Sequence, residues 1–328
     1  MLRRDPPALA RWGPRALAAG RRSSNPCLMD DAVIETRGLT KRYGSHKALE
    51  PLDLTVPAGA VFGYLGPNGA GKTTTIRLLM GLIRPSGGSA TVLGHDISGE
   101  RLEIHRSVGY LPSDFSAYRD LTAGQYLGYL SNLRGNVEPG RAELLAKRFE
   151  LDLDRRIATL SHGNRQKVGI IQAWMHDPEL LVLDEPTSGL DPLMQHEFLA
   201  LIRECRDAGR TVFLSSHMLT EVEAVADLVG ILRHGQLVMT SGVAELKGRT
   251  RRRVDLTFTP GSPPPIEELA KVTSIRDLQV EGDTVQVVVE GSMAELLQVA
   301  APFGIDRVVS NEVDLENIFL EYYEDQEA

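Results

Sequence analysis

Gly66-Pro67-Asn68-Gly69-Ala70-Gly71-Lys72-Thr73 follows the spacing G-x-x-x-x-G-K-[ST]. Glycines at these positions let the backbone turn its N–H groups inward and cradle an anion. A helix starting directly after the loop adds the partial positive charge of its N-terminus at the same point. Lys72 would then reach the β- and γ-phosphates of a nucleotide such as ATP. The Thr73 hydroxyl would bind Mg²⁺, with Thr74 beside it in the nucleotide-binding segment.

A second pair of chemical groups lies far downstream. Asp184 and Glu185 close the apolar run Leu180-Leu181-Val182-Leu183. Carboxylates at the C-terminal end of a parallel strand stand where such sheets bind ligands. Asp184 is the expected Mg²⁺ partner, directly or through water, and Glu185 is expected to orient and deprotonate an attacking water.

These groups need elements to hold them. Val61-Phe62-Gly63-Tyr64-Leu65 is a short apolar strand leading into the glycine loop. The loop should open a helix, with Ile76, Leu78, Leu79, Leu82 and Ile83 largely on one face. Upstream, Val33–Thr36 and Leu52–Val56 alternate as half-buried strands, with turn residues Tyr43-Gly44-Ser45 between them. A mostly polar helical stretch is predicted over about 120–176, where Leu127, Leu130 and Leu133 recur at helical spacing. Leu180–Leu183, Val212–Leu214 and Val229–Leu232 read as buried strands. Strands alternating with helices indicate an α/β fold with helices on both faces of the sheet.

Several further segments resemble the motifs of ATP-binding cassette proteins. Leu160-Ser161-His162-Gly163-Asn164-Arg165-Gln166 looks like that family's LSGGQ signature. It stands 23 residues before Asp184 (184 − 161), as in the family. Ser188-Gly189-Leu190-Asp191 resembles its D-loop, His217 in Ser215-Ser216-His217 its switch histidine, and Tyr43 the aromatic that stacks on adenine. The resemblance covers about residues 32–245 and implies a P-loop ATPase domain with a helical subdomain. It further implies two such domains dimerising head to tail around two ATP molecules. The glycine loop and Glu185 of one copy would face Ser161, Gly163 and Asn164 of the other, with Asp191 at the same interface and His217 on the γ-phosphate. Two departures stand out: His162 replaces a glycine and Asn164 a glutamine. Val108–Ser113 looks like the Q-loop region, yet Ser113 occupies the glutamine position. Serine is too short to reach Mg²⁺ from there, so a water or Asp114 substitutes, or metal coordination is weaker.

The flanks differ in texture. Residues 1–28 are basic, with Arg3, Arg4, Arg11, Arg15, Arg21 and Arg22 against Asp5 and several prolines, and the tail is taken to run to residue 30. Being arginine-rich and poor in acids it could be read as a targeting peptide, but the expectation is a disordered tail, or sequence upstream of a true start at Met29. The nucleotide-binding domain is assigned to 31–247, with its helical subdomain at about 101–176. Residues 248–328 are expected to form an accessory α+β domain. Arg249, Arg251, Arg252 and Arg253 read as a solvated linker. Beyond them the predicted order is βαββαβ, the ferredoxin-like arrangement. A last amphipathic helix is expected from Asp314, carrying Leu315, Ile318, Phe319 and Tyr322.

Composition narrows the role. A net charge of −8 argues against a general nucleic-acid binder. The two cysteines, Cys27 and Cys205, are too few for a disulfide framework and suit a reducing cytosol. No apolar stretch is long enough for a spanning helix, so a role in a membrane must come through a partner. Within the family the chain looks most like ATPase subunits of ABC-2 type exporters for drugs and antibiotics. That implies a homodimer of ATPase subunits on the cytoplasmic face of a membrane, docked on a separate permease. The alternatives are a soluble mechanochemical ATPase of DNA repair or translation, and an importer subunit.

Overall fold

Alternating burial organises the first strands. In the computed structural model, which describes residues 32–135, 137–248, 251–259, 262–290 and 292–312, β1 (Ala32–Tyr43) and β2 (His46–Pro57) pair antiparallel. The Gly44-Ser45 turn between them falls where the sequence predicts it. Ile34, Thr36 and Leu39 on β1 and Leu49, Leu52, Leu54 and Val56 on β2 face the interior. β3 (Val61–Leu65) is buried along its whole length and leads through the glycine loop into α1 (Lys72–Leu79). The helix stops earlier than its apolar pattern suggests: Met80 caps it and Gly81 turns to a φ of +61°, so Leu82 is exposed. β4 (Gly87–Val92) and β5 (His95–Asp96) then return to the hairpin, giving a four-stranded sheet in the order β2-β1-β4-β5. The N-terminal strands therefore form a separate antiparallel layer, which the sequence pattern did not distinguish from the central sheet.

α2 (Arg101–Ser107) and β6 (Val108–Leu111) precede the helical region. The single stretch predicted over 120–176 is three helices: α3 (Ala123–Arg134), α4 (Arg141–Arg148) and α5 (His162–Trp174). α3 opens with a capping box. Gln125 N donates to Thr122 Oγ1 at 3.1 Å, and Thr122 N donates to Gln125 Oε1 at 2.9 Å. It ends at Gly135, whose φ of +71° no continuing helix allows. Leu127 is buried while Leu133 points out, so the helical spacing of the leucines did not mark one face. α4 is tied to the body by Arg148, which grips both carboxylate oxygens of Glu204 at 2.6 and 2.8 Å and also pairs with Glu197.

The central sheet is completed by β7 (Leu180–Asp184), β8 (Thr211–Ser216), β9 (Leu228–Arg233) and β10 (Gln236–Gly242), with α6 (Pro192–Asp207) and α7 (Leu219–Val225) in the connections. Its order is β10-β9-β3-β8-β7-β6, and the five strands from β9 to β6 run parallel. α1 packs against both layers. Ile76, Leu78 and Leu79 share one core with Leu52, Leu54 and Val56 of the hairpin and with Phe62, Tyr64 and Phe213 of the central sheet. Burying each such side chain contributes roughly 1.5–3 kcal/mol.

A second compact unit begins at Ser241. It comprises α8 (Val243–Gly248), β11 (Arg251–Phe258), α9 (Ile266–Leu269), β12 (Ile275–Glu281), β13 (Thr284–Glu290), α10 (Ala294–Ala300) and β14 (Ile305–Glu312). The sheet order β12-β13-β11-β14, antiparallel at every junction, is the ferredoxin-like order. Val254, Leu256, Phe258, Val285, Val287 and Val289 alternate onto one face and pack with Leu269, Leu296 and Ala300. The reading of the arginine cluster is corrected for its described members, Arg249 lying outside the described residues. Arg251, Arg252 and Arg253 are not a linker but the first residues of β11, paired across to Glu290, Val289 and Val288. The N-terminal tail and the helix expected from Asp314 lie outside the described residues.

Candidate active site

Parallel register gathers the chemical groups. Leu65 at the end of β3 pairs with Ser216 of β8, and Asp184 at the end of β7 pairs with Ser215. Gly66, Glu185 and His217, each the residue following its strand, therefore emerge side by side at one edge of the sheet. This is the ligand edge of an open parallel sheet.

The loop after β3 is shaped by close approach. Gly71 takes a φ of +110°, and a Cβ there would stand 2.8 Å from the carbonyl oxygen of Ala48 on β2. The hairpin thus lies against the loop. Tyr43 at its tip is half exposed, with Lys41 Nζ 4.9 Å from its ring centroid. Thr75 N donates back to Gly71 O at 2.9 Å to start the helix, which leaves the N–H groups before it free of intrahelical partners. The Lys72 side chain is buried. Its Nζ donates to Gly66 O at 2.5 Å and Pro67 O at 3.2 Å, and lies 3.1 Å from Glu185 Oε1. The ammonium is thereby stretched across the mouth of the loop, where it neutralises a carboxylate that would otherwise be buried beside it.

Asp184 is fully buried. Ser215 Oγ donates to its Oδ1 at 2.6 Å, while Oδ2 has no hydrogen-bond partner among the described residues. A buried carboxylate oxygen left unpaired is costly, and a cation is the partner that would satisfy it. Glu185 holds a φ of +50°, a left-handed conformation that costs a side-chain-bearing residue on the order of 1 kcal/mol. Two bonds hold it there: Glu185 N to Ser215 O and to Ser215 Oγ, both at 3.2 Å. The twist aims Oε2 at His217, whose Nδ1 is 2.7 Å away. Glu185 is thus gripped between Lys72 and His217. Nearby, burial and the negative charge of Asp184 push the Tyr110 phenol up to about 12.

The remaining residues singled out by sequence form a second group. Ser161 caps α5, with Asn164 N donating to its Oγ at 3.2 Å. Gly163 lies so close to the turn after Glu185 that a Cβ would stand 2.3 Å from Gly189 O. His162 has a structural account: its imidazole covers Gly189, where a Cβ would stand 2.2 Å from Cδ2, and Gly189 itself has a φ of +77°. The departure at 162 and the glycine at 189 are complementary shapes. Asp191, expected at the nucleotide, has its carboxylate engaged as the N-cap of α6, accepting from Met194 N at 3.0 Å, with Pro192 next to it. At the Q-loop position, Asp114 pairs with Arg77 at 3.3 Å from an exposed position. Thr73 and Thr74 stand at the first turn of α1, partly exposed.

Sequence reasoning gave no role to Ser215, which orients both acids, or to Gln166, Thr187 and Glu221. Gln166 is buried and donates to Pro186 O at 2.9 Å. Glu221 accepts from Thr187 Oγ1 at 2.8 Å and Ser216 Oγ at 3.2 Å. The available signal for Ser215 and Ser216 was two hydroxyls ending an otherwise apolar strand.

The family model described as ABC transporter matches residues 49–188. The chain is 33% identical over 295 residues to the bacitracin transport ATP-binding protein BcrA of Bacillus licheniformis, covering 88% of this chain and 96% of that protein. It is 40% identical over 220 residues to the daunorubicin/doxorubicin resistance ATP-binding protein DrrA of Streptomyces peucetius, covering 66% and 67%. Among solved structures, the ATP-binding subunit of an ABC transporter superposes with a TM-score of 0.61 at 29% identity, covering 66% of this chain and 92% of that one. A dimeric ATP-binding cassette in a post-hydrolysis state with ADP and Pi shares the fold, with a TM-score of 0.59 at 22% identity over 64% of this chain and 98% of its own.

Proposed function

Because the chain belongs to the family of ABC transporter ATP-binding proteins, we propose that it is the ATP-hydrolysing subunit of an exporter for drug-like or antibiotic molecules. The observation that carries this reading is the placement of Lys72, Glu185 and His217 in one cluster at the ends of adjacent parallel strands, with Glu185 ion-paired to Lys72 and in hydrogen-bond contact with His217. The names of its relatives, bacitracin transport and daunorubicin/doxorubicin resistance, support the exporter class.

The chain's own residues supply the chemistry. Residues 66–73 bind the nucleotide phosphates through backbone N–H groups, and Lys72 exchanges its carbonyl and Glu185 partners for phosphate oxygens. Glu185, released from Lys72, is the base for the attacking water. His217 holds the base through Nδ1 and turns its other ring nitrogen to the γ-phosphate. Tyr43 stacks on adenine. Thr73 and Asp184 Oδ2, which has no hydrogen-bond partner among the described residues, would hold Mg²⁺, which would supply positive charge against the phosphates. A hydroxyl and one carboxylate suit an ion that keeps waters and phosphate oxygens as its remaining ligands.

Two copies complete the site, each offering Ser161, Gly163 and Asn164 to the nucleotide on the other's loop, with Asp191 at the junction. A dimeric cassette among the structural neighbours supports that arrangement. Residues 31–247 are the nucleotide-binding domain, with the helical subdomain at about 101–176, and 248–328 the accessory domain. Among the described residues no helix is long and apolar enough to cross a membrane, so the proposal places the chain on the cytoplasmic face, bound to a separate permease.

Affinity purification of the tagged chain from detergent-solubilised host membranes tests this. Co-purification of a multi-spanning protein in about equal amount is expected. Recovery with ribosomes or DNA and no membrane partner would overturn the exporter reading.

A further inference from the structure

Glu221 is a buried carboxylate for which the reaction above has no use. It lies on α7, and its side chain reaches two segments that carry the active site. Thr187 Oγ1 donates to Oε2 at 2.8 Å, and Ser216 Oγ donates to the same oxygen at 3.2 Å. Each hydroxyl belongs to a loop with chemical consequence. Thr187 lies in the turn that leaves Glu185, held by Ser188 N to Glu185 O at 3.2 Å and Leu190 N to Thr187 O at 3.0 Å. Ser216 immediately precedes His217, and its Oγ also accepts from Met218 N at 2.9 Å. The backbone on both sides of His217 is thereby tied to Glu221, as is the turn after Glu185. The two loops meet only a short distance away, at the 2.7 Å contact between His217 Nδ1 and Glu185 Oε2.

The burial of this group argues for a role beyond packing. Glu221 Oε1 has no hydrogen-bond partner among the described residues, and burial raises the carboxyl pKa against the opposing pull of its two hydroxyl bonds. An apolar side chain of similar size would avoid that cost. α7 is otherwise an apolar packing element: Leu219, Val222 and Val225 are buried, and Val222 fits against Gly63 of β3.

We infer that Glu221 is a positioning residue for hydrolysis, clamping the Glu185 turn and the His217 turn into one unit so that the Glu185–His217 pair is held in register at the nucleotide. The inference rests on the ATPase reading of the site and extends it to a residue outside the groups assigned to the nucleotide and the attacking water. Because the turn 186–191 also carries Gly189 and Asp191 beneath the signature helix, the clamp links the hydrolytic pair to the surface offered to the second copy.

The test is steady-state ATP hydrolysis by the full chain and its variants, with nucleotide binding measured separately by a fluorescent ATP analogue. E221L is expected to lower kcat on the order of tenfold or more, since small displacements of a catalytic group carry penalties of that size. Its analogue affinity should stay within about twofold of the parent, because residues 66–73 are untouched. E221Q should restore most of the lost kcat, as its amide oxygen can accept the same two hydroxyls. The double variant Thr187→Val, Ser216→Ala leaves Glu221 in place and should reproduce the kcat loss, which keeps the test decisive even where E221L fails to fold. An unchanged kcat in the double variant overturns the inference, as does an E221L enzyme whose kcat and affinity fall together, or an E221Q enzyme no better than E221L. A parent chain that binds and turns over no ATP overturns the ATPase reading itself, a result distinct from any of these.

Discussion

Ser215→Ala removes the one hydroxyl that serves both acids. In the parent, Ser215 Oγ donates to Asp184 Oδ1 at 2.6 Å and accepts from Glu185 N at 3.2 Å. The second bond is cheap to lose, because Glu185 N keeps Ser215 O at 3.2 Å. The first is not. Asp184 is fully buried and its other oxygen has no hydrogen-bond partner among the described residues, so the substitution leaves the carboxylate without this donor. Hydrogen bonds to charged groups contribute roughly 1.5–3 kcal/mol, and the methyl of alanine offers little in return. The expected destabilisation is therefore about 2 kcal/mol, a shift of about thirtyfold in the ratio of folded to unfolded chain. Urea unfolding followed by tryptophan fluorescence reads it, since Trp174 is buried in the same unit. The measurement is made without nucleotide or Mg²⁺, so that only the protein's own partners are compared. A midpoint unchanged at constant slope would refute the claim that Ser215 is what keeps Asp184 tolerable in the interior.

Three further outcomes follow from particular contacts. E185Q should still bind ATP and dimerise with it while hydrolysis falls by about a hundredfold or more; near-parental turnover would remove Glu185 as the base. Burial, with the positive charge of Arg134, lowers the His176 pKa to about 4, so the unfolded chain takes up a proton that the folded chain refuses as pH falls below about 6.5. The stability this group contributes is thus complete above the unfolded pKa and is lost between about pH 6.5 and 4, amounting to about 3 kcal/mol. His176→Asn should flatten that slope in denaturation titrations, and an unaltered slope would contradict it. Gly189→Ala meets the His162 ring and a φ of +77° at once. It should reduce thermal stability, with partial recovery in the His162→Gly, Gly189→Ala pair; no recovery would mean that the backbone strain alone decides.

The place of the glycine loop was legible because it depends on local order: Gly66–Thr73 must follow a strand and open a helix, and both signals lie within the same short window. The four buried strands flanking the site were legible for a similar reason, since a short, continuous apolar run bounded by turn residues suits a sheet covered on both faces. The ferredoxin-like order could be read because its strands keep a clean two-residue alternation, as along β13. Local reading failed where burial depends on partners distant in the chain. The helical spacing through 120–176 did not reveal three separate helices, because Gly135 and Gly140 reorient the chain and α4 is held by Arg148 against Glu197 and Glu204 of α6. The arginines at 251–253 looked like a solvated linker, because strand pairing with β13 and β14 is invisible in a run of charge.

Residue types and spacing by themselves pointed to a nucleotide-binding α/β domain, its glycine loop and its two acids, and the family resemblance added the histidine. Only the tertiary structure decided how those groups touch. Parallel pairing of β3, β7 and β8 brought Gly66, Glu185 and His217 to one edge from distant positions in the chain. Packing then buried Asp184 and Glu221 and chose their hydroxyl partners. A hydrogen bond or an unpaired oxygen is a property of the space between segments, and no one segment of the chain contains that space.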